Sequence, residues 1–285
     1  MSVRTVLRRV VKRIGGAFGA SDVLNELNIT RDIIIDGNRR ADSYAQDALP
    51  YLKYYYFNEF AKNLHPLLFE KYRDCNKGKK VVIVACGPSL DKYKPIKRAK
   101  HLAINRAFLR DDIKFDYIFM HDSIMIDQYK KNLKKYKADK FIAFATKDEN
   151  AKLFNAASED VKSIGAKRFI LSNPAIPDTA GGQFDVIQPD IAHGAILDRG
   201  GGTVFSALQF VLFTHPKEIY LVGCDCTKSG YFNKVKRKEK QNLLEKTEYL
   251  WHEVKAFTDQ YYPDIKIISV NPVKLKGLFT DLKQK

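Results

Sequence analysis

Four apolar, strand-like runs in this 285-residue chain end in residues that could hold a nucleotide. In "KKVVIVACGPSLDKY" the run stops at Gly87-Pro88-Ser89. Gly87 lets a backbone approach closely, Pro88 sets the turn, and Ser89 can cap a helix whose N–H groups face an anion. The same three residues also suit an ordinary tight turn. In "HLAINRAF" the strand ends at Asn105, whose amide can read donor and acceptor edges of a base or ribose. "FDYIFMHDS" ends in His121, Asp122 and Ser123, which suit either a catalytic His-Asp pair or a polar rim against a ribose.

The fourth stretch is "LDRGGGTVFSALQFVLFTHPKEIYLVGCDCTKSGYFN". Arg199 stands beside Gly200, Gly201 and Gly202, and Thr203 opens an apolar helix, a helix start suited to a phosphate or carboxylate. The strand "EIYLVG" then runs into Cys224, Asp225 and Cys226, with Tyr231 close behind. A structural glycine hinge accounts for the glycines but requires neither Arg199 nor Asp225. No D-x-D pair or H-E-x-x-H helix supplies a metal set, so the expectation is a site without metal.

The elements that must position these residues follow from the pattern of apolar positions. Strands are expected at 80–85, 101–104, 116–120, 140–145, 168–171, 218–222 and 265–270, and helices at 124–137, 149–156, 203–214 and 239–261. Short continuous apolar strands alternating with helices predict an α/β, Rossmann-like, doubly wound and mainly parallel sheet over 77–285. Ligands of such sheets bind beyond the carboxyl ends of the strands, where the four motifs fall. Residues 1–76 are expected to form a helical extension. Its segment "VRTVLRRVVKRIGGAFG" is basic and amphipathic, fit either for an anionic membrane surface or for docking on protein. The rings of "YAQDALPYLKYYYFNEFAKNLHPLLFEKYRD" suit a core or interface better than a base-stacking platform.

Composition narrows the class. Hydrophobic residues at 45% are enough for a packed core, and this excludes global disorder. Apolar runs stay short of the ~18 residues of a membrane span, and the N-terminus lacks the apolar centre of a secretory signal. Four cysteines in a chain this long do not make a disulfide framework, and the C-x-C spacing of Cys224 and Cys226 is not that of a zinc or redox motif. A cytoplasmic protein, peripheral on the inner face of the cell membrane, fits these features. The formal net charge of +16 favours an anionic partner.

Taken together, "VVIVACGPSL", "AINRAF", "YIFMHDS", "GGGTVFSAL" and "KEIYLVGCD" resemble a domain family of bacterial motility accessory factors and archaeal hydroxymethylpterin diphosphokinases. More distantly, the same pieces are similar to the family 42 sialyltransferases of bacterial surface glycans. The resemblance spans roughly Lys79 to Pro272, with gaps. It implies a GT-A-like variant of the fold and a metal-independent, inverting transfer from a CMP-activated sugar acid, with no cofactor beyond that donor. By motif, Gly87, Pro88 and Ser89 would hold the nucleotide phosphate. Asn105 and Asp122, with Ser123 beside it, would contact the nucleotide. Gly201, Gly202, Thr203 and Asp225 would lie beside the donor, and Arg199 near the acceptor. The chain departs from that family where two tyrosines should meet the leaving phosphate: Thr227 takes the first place, and Tyr231 fills the second only across a two-residue deletion. No histidine falls where the base should be. His252, on the polar side of its helix, and His193, in the loop before the glycines, are the rival candidates.

These readings lead to a glycosyltransferase that moves a sialic-acid-like sugar from a CMP donor to a glycan or glycolipid acceptor in lipopolysaccharide or capsule synthesis. The expected partners are therefore the donor, the acceptor and an anionic membrane surface, with oligomerisation open and no nucleic acid. Two other classes remain: an ATP- and magnesium-dependent pterin pyrophosphokinase using Asp122 and Asp225, and a non-catalytic nucleic-acid-binding module suggested by the charge and by "KVKRKEK".

Overall fold

A computed structural model describes residues 56–144, 157–172, 187–198, 202–232 and 241–284. Arg199, Gly201, the expected helix at 149–156, "KVKRKEK" and the basic amphipathic segment near the N-terminus lie outside these residues. Apart from Tyr56, the described residues belong to one unit.

The strands are β1 (Lys80–Val84), β2 (Ala99–Ile104), β3 (Tyr117–Met120), β4 (Asp139–Phe144), β5 (Ala166–Ser172), β6 (Ile196–Leu197), β7 (Glu218–Val222), β8 (Lys266–Val270) and β9 (Thr280–Leu282). They form a nine-stranded sheet in the order β6-β5-β4-β3-β2-β1-β7-β8-β9. Every neighbouring pair is parallel. All seven strands expected from the sequence are present. β6, with two residues, and β9, exposed at all three, are additions too short or too polar for an apolar pattern to reveal.

The central strands are apolar without interruption because both faces are covered. On β1, Val81 and Ile83 enter one core and Val82 and Val84 the other, the two-residue alternation of a pleated strand. The first core is roofed by three helices: residues 56–69 (α1), Thr203–Phe213 and Gln241–Tyr261. The second is covered by the 3-10 turns Pro88–Lys92 and Asn105–Leu109 and by two helices, Ile124–Lys135 (α2) and Ser158–Ser163 (α3). In chain order the remaining helices are α4 (Thr203–Phe213) and α5 (Gln241–Tyr261). This is a doubly wound, Rossmann-like α/β arrangement.

The helix α4 is buried at every position except Val204, so it runs through the interior and needs apolar residues all round. Its one long polar side chain, Gln209, is fully satisfied. The amide oxygen accepts from the N–H groups of Gln188 (2.9 Å) and Leu197 (3.0 Å), and the amide nitrogen donates to Leu197 O (2.9 Å) and Phe205 O (3.1 Å). That amide pins the 187–198 segment, including the short β6, onto α4.

The helix α1 is part of this core as well. Phe57 and Phe69 are buried, Phe69 stacks on Phe141 at 5.5 Å between ring centroids, and the following Tyr72 meets Phe210 edge-on at 5.3 Å. Phe57, Phe69 and Tyr72 of this stretch serve packing, in line with the core reading of its rings. His65 completes the attachment. The Ile170 N–H donates to its Nε2 (2.8 Å), so Nδ1 carries the proton and faces the carbonyls of Ile191 (2.8 Å) and Gly194 (2.9 Å). Burial pushes its pKa down to about 4.

Candidate functional site

From β6 to β1 the strands run in reverse chain order, and β7 returns to the far side of β1. Loops leaving β1 and β7 therefore diverge, one toward each face, and open a crevice at their carboxyl ends. A cleft of about 450 Å³ lies there. Its wall includes residues just beyond β1 (Gly87, Pro88), β2 (Asn105, Arg106), β3 (His121, Asp122) and β7 (Asp225, Thr227).

The floor is backbone. Beyond the formal strand ends the Ala85 N–H donates to Val222 O (2.8 Å) and the Gly87 N–H to Gly223 O (2.9 Å), continuing the β1–β7 pairing. This approach requires glycines. A Cβ on Gly87 would stand 2.5 Å from both Gly223 O and the Asp225 carboxylate. Gly223 has φ +69°, and a Cβ there would collide with Ala85 O.

The Gly87-Pro88-Ser89 turn does not present its donors to the cleft. The Ser89 N–H donates to Asp225 Oδ2 (2.7 Å) and the Ser89 hydroxyl to Asp225 Oδ1. Asp225 is buried, and this pair neutralises the turn's free donors from across the switch point. Thus Ser89 and Asp225 hold each other rather than waiting for a phosphate, and Ser89 faces a neighbouring hollow rather than this cleft.

Asn105 is the polar hub of the opposite wall. It adopts a left-handed conformation (φ +47°), which asparagine tolerates better than most residues. Its Nδ2 donates to Thr203 Oγ1 (3.1 Å), and its Oδ1 accepts the His121 N–H (3.3 Å). One amide thereby ties the ends of β2 and β3 to the start of α4, where Gly202 is the N-cap residue. His121 Nε2 lies 2.9 Å from Ser206 Oγ, which orients the imidazole. Beside Asn105, the Arg106 guanidinium sits over the Tyr231 ring, 4.9 Å from its centroid. The N–H of the next residue, Phe232, donates to Cys86 O (2.9 Å) and holds this loop to the floor.

The cleft brings together Gly87, Pro88, Asn105, Asp122, Gly202, Thr203, Asp225 and Tyr231 from the sequence-based set. Four members fall elsewhere, Ser89 among them in the neighbouring hollow. Ser123 begins α2, with its carbonyl accepting from the Ile126 N–H (2.8 Å). His193 is exposed and paired with Asp190 (3.0 Å), which also accepts from Arg73 (3.0 Å). His252 is exposed on α5, which turns Leu244, Thr247 and Trp251 to the cleft at i, i+3 and i+7. Neither candidate base lines the cleft, and the histidine that does is His121.

The wall contains further chemistry that the sequence patterns passed over: Arg106, inside the quoted "AINRAF", and Asp198, buried at the end of β6. Cys86, Cys224 and Cys226 also line it as thiols. Burial, first of all, and the neighbouring Cys226 and Asp225 push the Cys224 thiol well up, which makes it a poor nucleophile at neutral pH. Among the described residues no three His, Cys, Asp or Glu side chains converge as a metal set. No helix of the described residues is long and apolar enough to cross a membrane.

No known family model matches the chain, and no curated protein matches it in sequence. Two solved structures of the sialyltransferase CstII from Campylobacter jejuni are similar to it. One is in complex with a substrate analogue, CMP-3FNeuAc. It is 18% identical, with a TM-score of 0.40, over 72% of this chain and 86% of that one. The other contains cytidine-5'-monophosphate and is 19% identical, with a TM-score of 0.37, over 68% of this chain and 80% of that one.

Proposed function

We propose that the chain is a glycosyltransferase acting on a CMP-activated, sialic-acid-like sugar. The observation that carries this reading is the switch-point cleft, in which a guanidinium stacked on a phenol (Arg106 on Tyr231) and an oriented imidazole (His121) share one polar chamber with Asn105. The motif resemblance supplies the substrate class.

In the proposed reaction an acceptor hydroxyl attacks the anomeric carbon of the donor. The bond from that carbon to the CMP phosphate oxygen breaks, and its electron pair leaves with the phosphate. The hydroxyl proton passes to His121. Proton transfer of this kind contributes ~10²–10⁴-fold in rate. Arg106 and the Tyr231 hydroxyl meet the charge that gathers on the departing phosphate. Asn105 contacts the nucleotide while bridging β2, β3 and α4. No metal enters the proposed step. The acceptor is a glycan or glycolipid, and the basic N-terminal segment fits work at an anionic membrane surface.

A second reading, ATP- and magnesium-dependent pyrophosphoryl transfer to a pterin, draws on Asp122 and Asp225, with Asp198 in the same cleft as a further carboxylate. Thermal unfolding separates the two. Stabilisation by CMP or CTP in the presence of a chelator is expected. Stabilisation by ATP only with magnesium would overturn the transferase reading in favour of the kinase.

A further inference from the structure

A second hollow, of about 470 Å³, adjoins the cleft. It lies between the Pro88–Lys92 turn and the carboxyl ends of β8 and β9, and it shares Pro88, Asp225 and Thr227 with the cleft. The wall between the two is therefore the Ser89–Asp225 clasp. We propose that this hollow seats the second substrate of the transfer, and that this substrate is a sugar carrying an anionic group, phosphate or carboxylate, held by Lys92 and Lys283. The assignment rests on the nucleotide-donor reading of the main cleft.

Charge marks the hollow. Among the described residues the only carboxylate on its wall is Asp225, whose two oxygens already accept the Ser89 N–H and hydroxyl, whereas Lys92 and Lys283 stand exposed at its rim. Lys92 and Lys283 thus draw an anion to the hollow, and the rest of its lining suits a sugar. Thr227 and Ser229 offer hydroxyls, and Pro88, Pro272 and the exposed Val273 offer apolar surface to ring C–H faces.

The hollow is also tied together. The Gln284 side-chain amide pairs with the Lys94 backbone, accepting from its N–H (2.8 Å) and donating to its carbonyl (2.9 Å). Asn271 in turn accepts the Gln284 N–H (2.9 Å), and its buried Nδ2 has no partner. Lys283 is consequently carried on a strand end bound to the segment just beyond the turn that carries Lys92. The two chambers meet at Pro88, Asp225 and Thr227, so a sugar anchored in the hollow by its anionic group would extend its reacting hydroxyl past this rim into the cleft, where His121 stands.

Calorimetry on the full chain, with CMP present, tests this using N-acetylglucosamine 1-phosphate, glucuronic acid and uncharged N-acetylglucosamine. At least one anionic sugar should bind tenfold or more tightly than the uncharged one. The double variant Lys92→Ala/Lys283→Ala should lose that advantage while CMP affinity stays within twofold. Preference for the phosphate or for the acid identifies the group. Equal binding of charged and uncharged sugars, or an anionic preference that survives the double variant, overturns the proposal. If the variant abolishes the preference but neither protein takes up CMP, the hollow stands and the donor reading of the cleft falls.

Discussion

At the scale of single residues, the site turns on which histidine reaches the reacting atoms. His252 and His193 were natural candidates because sequence shows a histidine's neighbours along the chain but not the direction it faces. The structure places both at the surface and His121 in the cleft, beside Ser206. Accordingly, His121→Ala should lower kcat about 10²-fold or more while leaving CMP affinity within a few-fold, and His252→Ala should leave turnover unchanged. Steady-state kinetics with a CMP-sugar donor, alongside calorimetry, checks both. The place of Asn105 on the cleft wall was legible because a polar residue stands directly at the end of an apolar run. Arg106, its neighbour, gives no such signal, because arginine at a loop start is common and marks no period. The Ser89–Asp225 pair was beyond reach, since its members lie 136 positions apart and meet only when β1 and β7 pair.

At the scale of elements, the β1–β7 junction is the most demanding part of the fold. Gly223 combines a left-handed backbone with a contact that admits no side chain. Gly223→Ala should therefore destabilise the protein by about 2–4 kcal/mol, through backbone strain and overpacking together. Urea unfolding should show a lower midpoint with an unchanged slope. Strands and helices of this kind were readable where burial on both faces makes them continuously apolar, as in "KVVIV" and "TVFSALQFVLF". β9 was not, because "TDL" is exposed throughout and is kept in the sheet by its pairing with β8. β6 depends on the Gln209 amide as much as on its own two residues.

At the scale of the whole molecule, acid stability should reflect His65, the buried ring joining α1 to the sheet. Its folded pKa of about 4 lies below the usual 6.5, so between these values the unfolded chain binds more protons and stability falls as pH drops. The two and a half units amount to about 3 kcal/mol, present in full above pH 6.5 and gone below pH 4. Burial also lowers the pKa of His101, which acts in the same direction. Unfolding midpoints measured between pH 7 and pH 4.5 should decline, and His65→Gln should flatten the decline. A decline that persists unchanged in the variant would show that His65 does not control it.

The shared backbone floor carries a mechanical consequence. Ala85 and Gly87 are bonded to Val222 and Gly223, so the bottom of the crevice is a seam joining the six strands on one side to the three on the other. A molecule resting on that seam grips both halves at once, and prying the halves apart then means evicting it. Occupancy would be felt as resistance to global unfolding rather than as a local tightening of one loop.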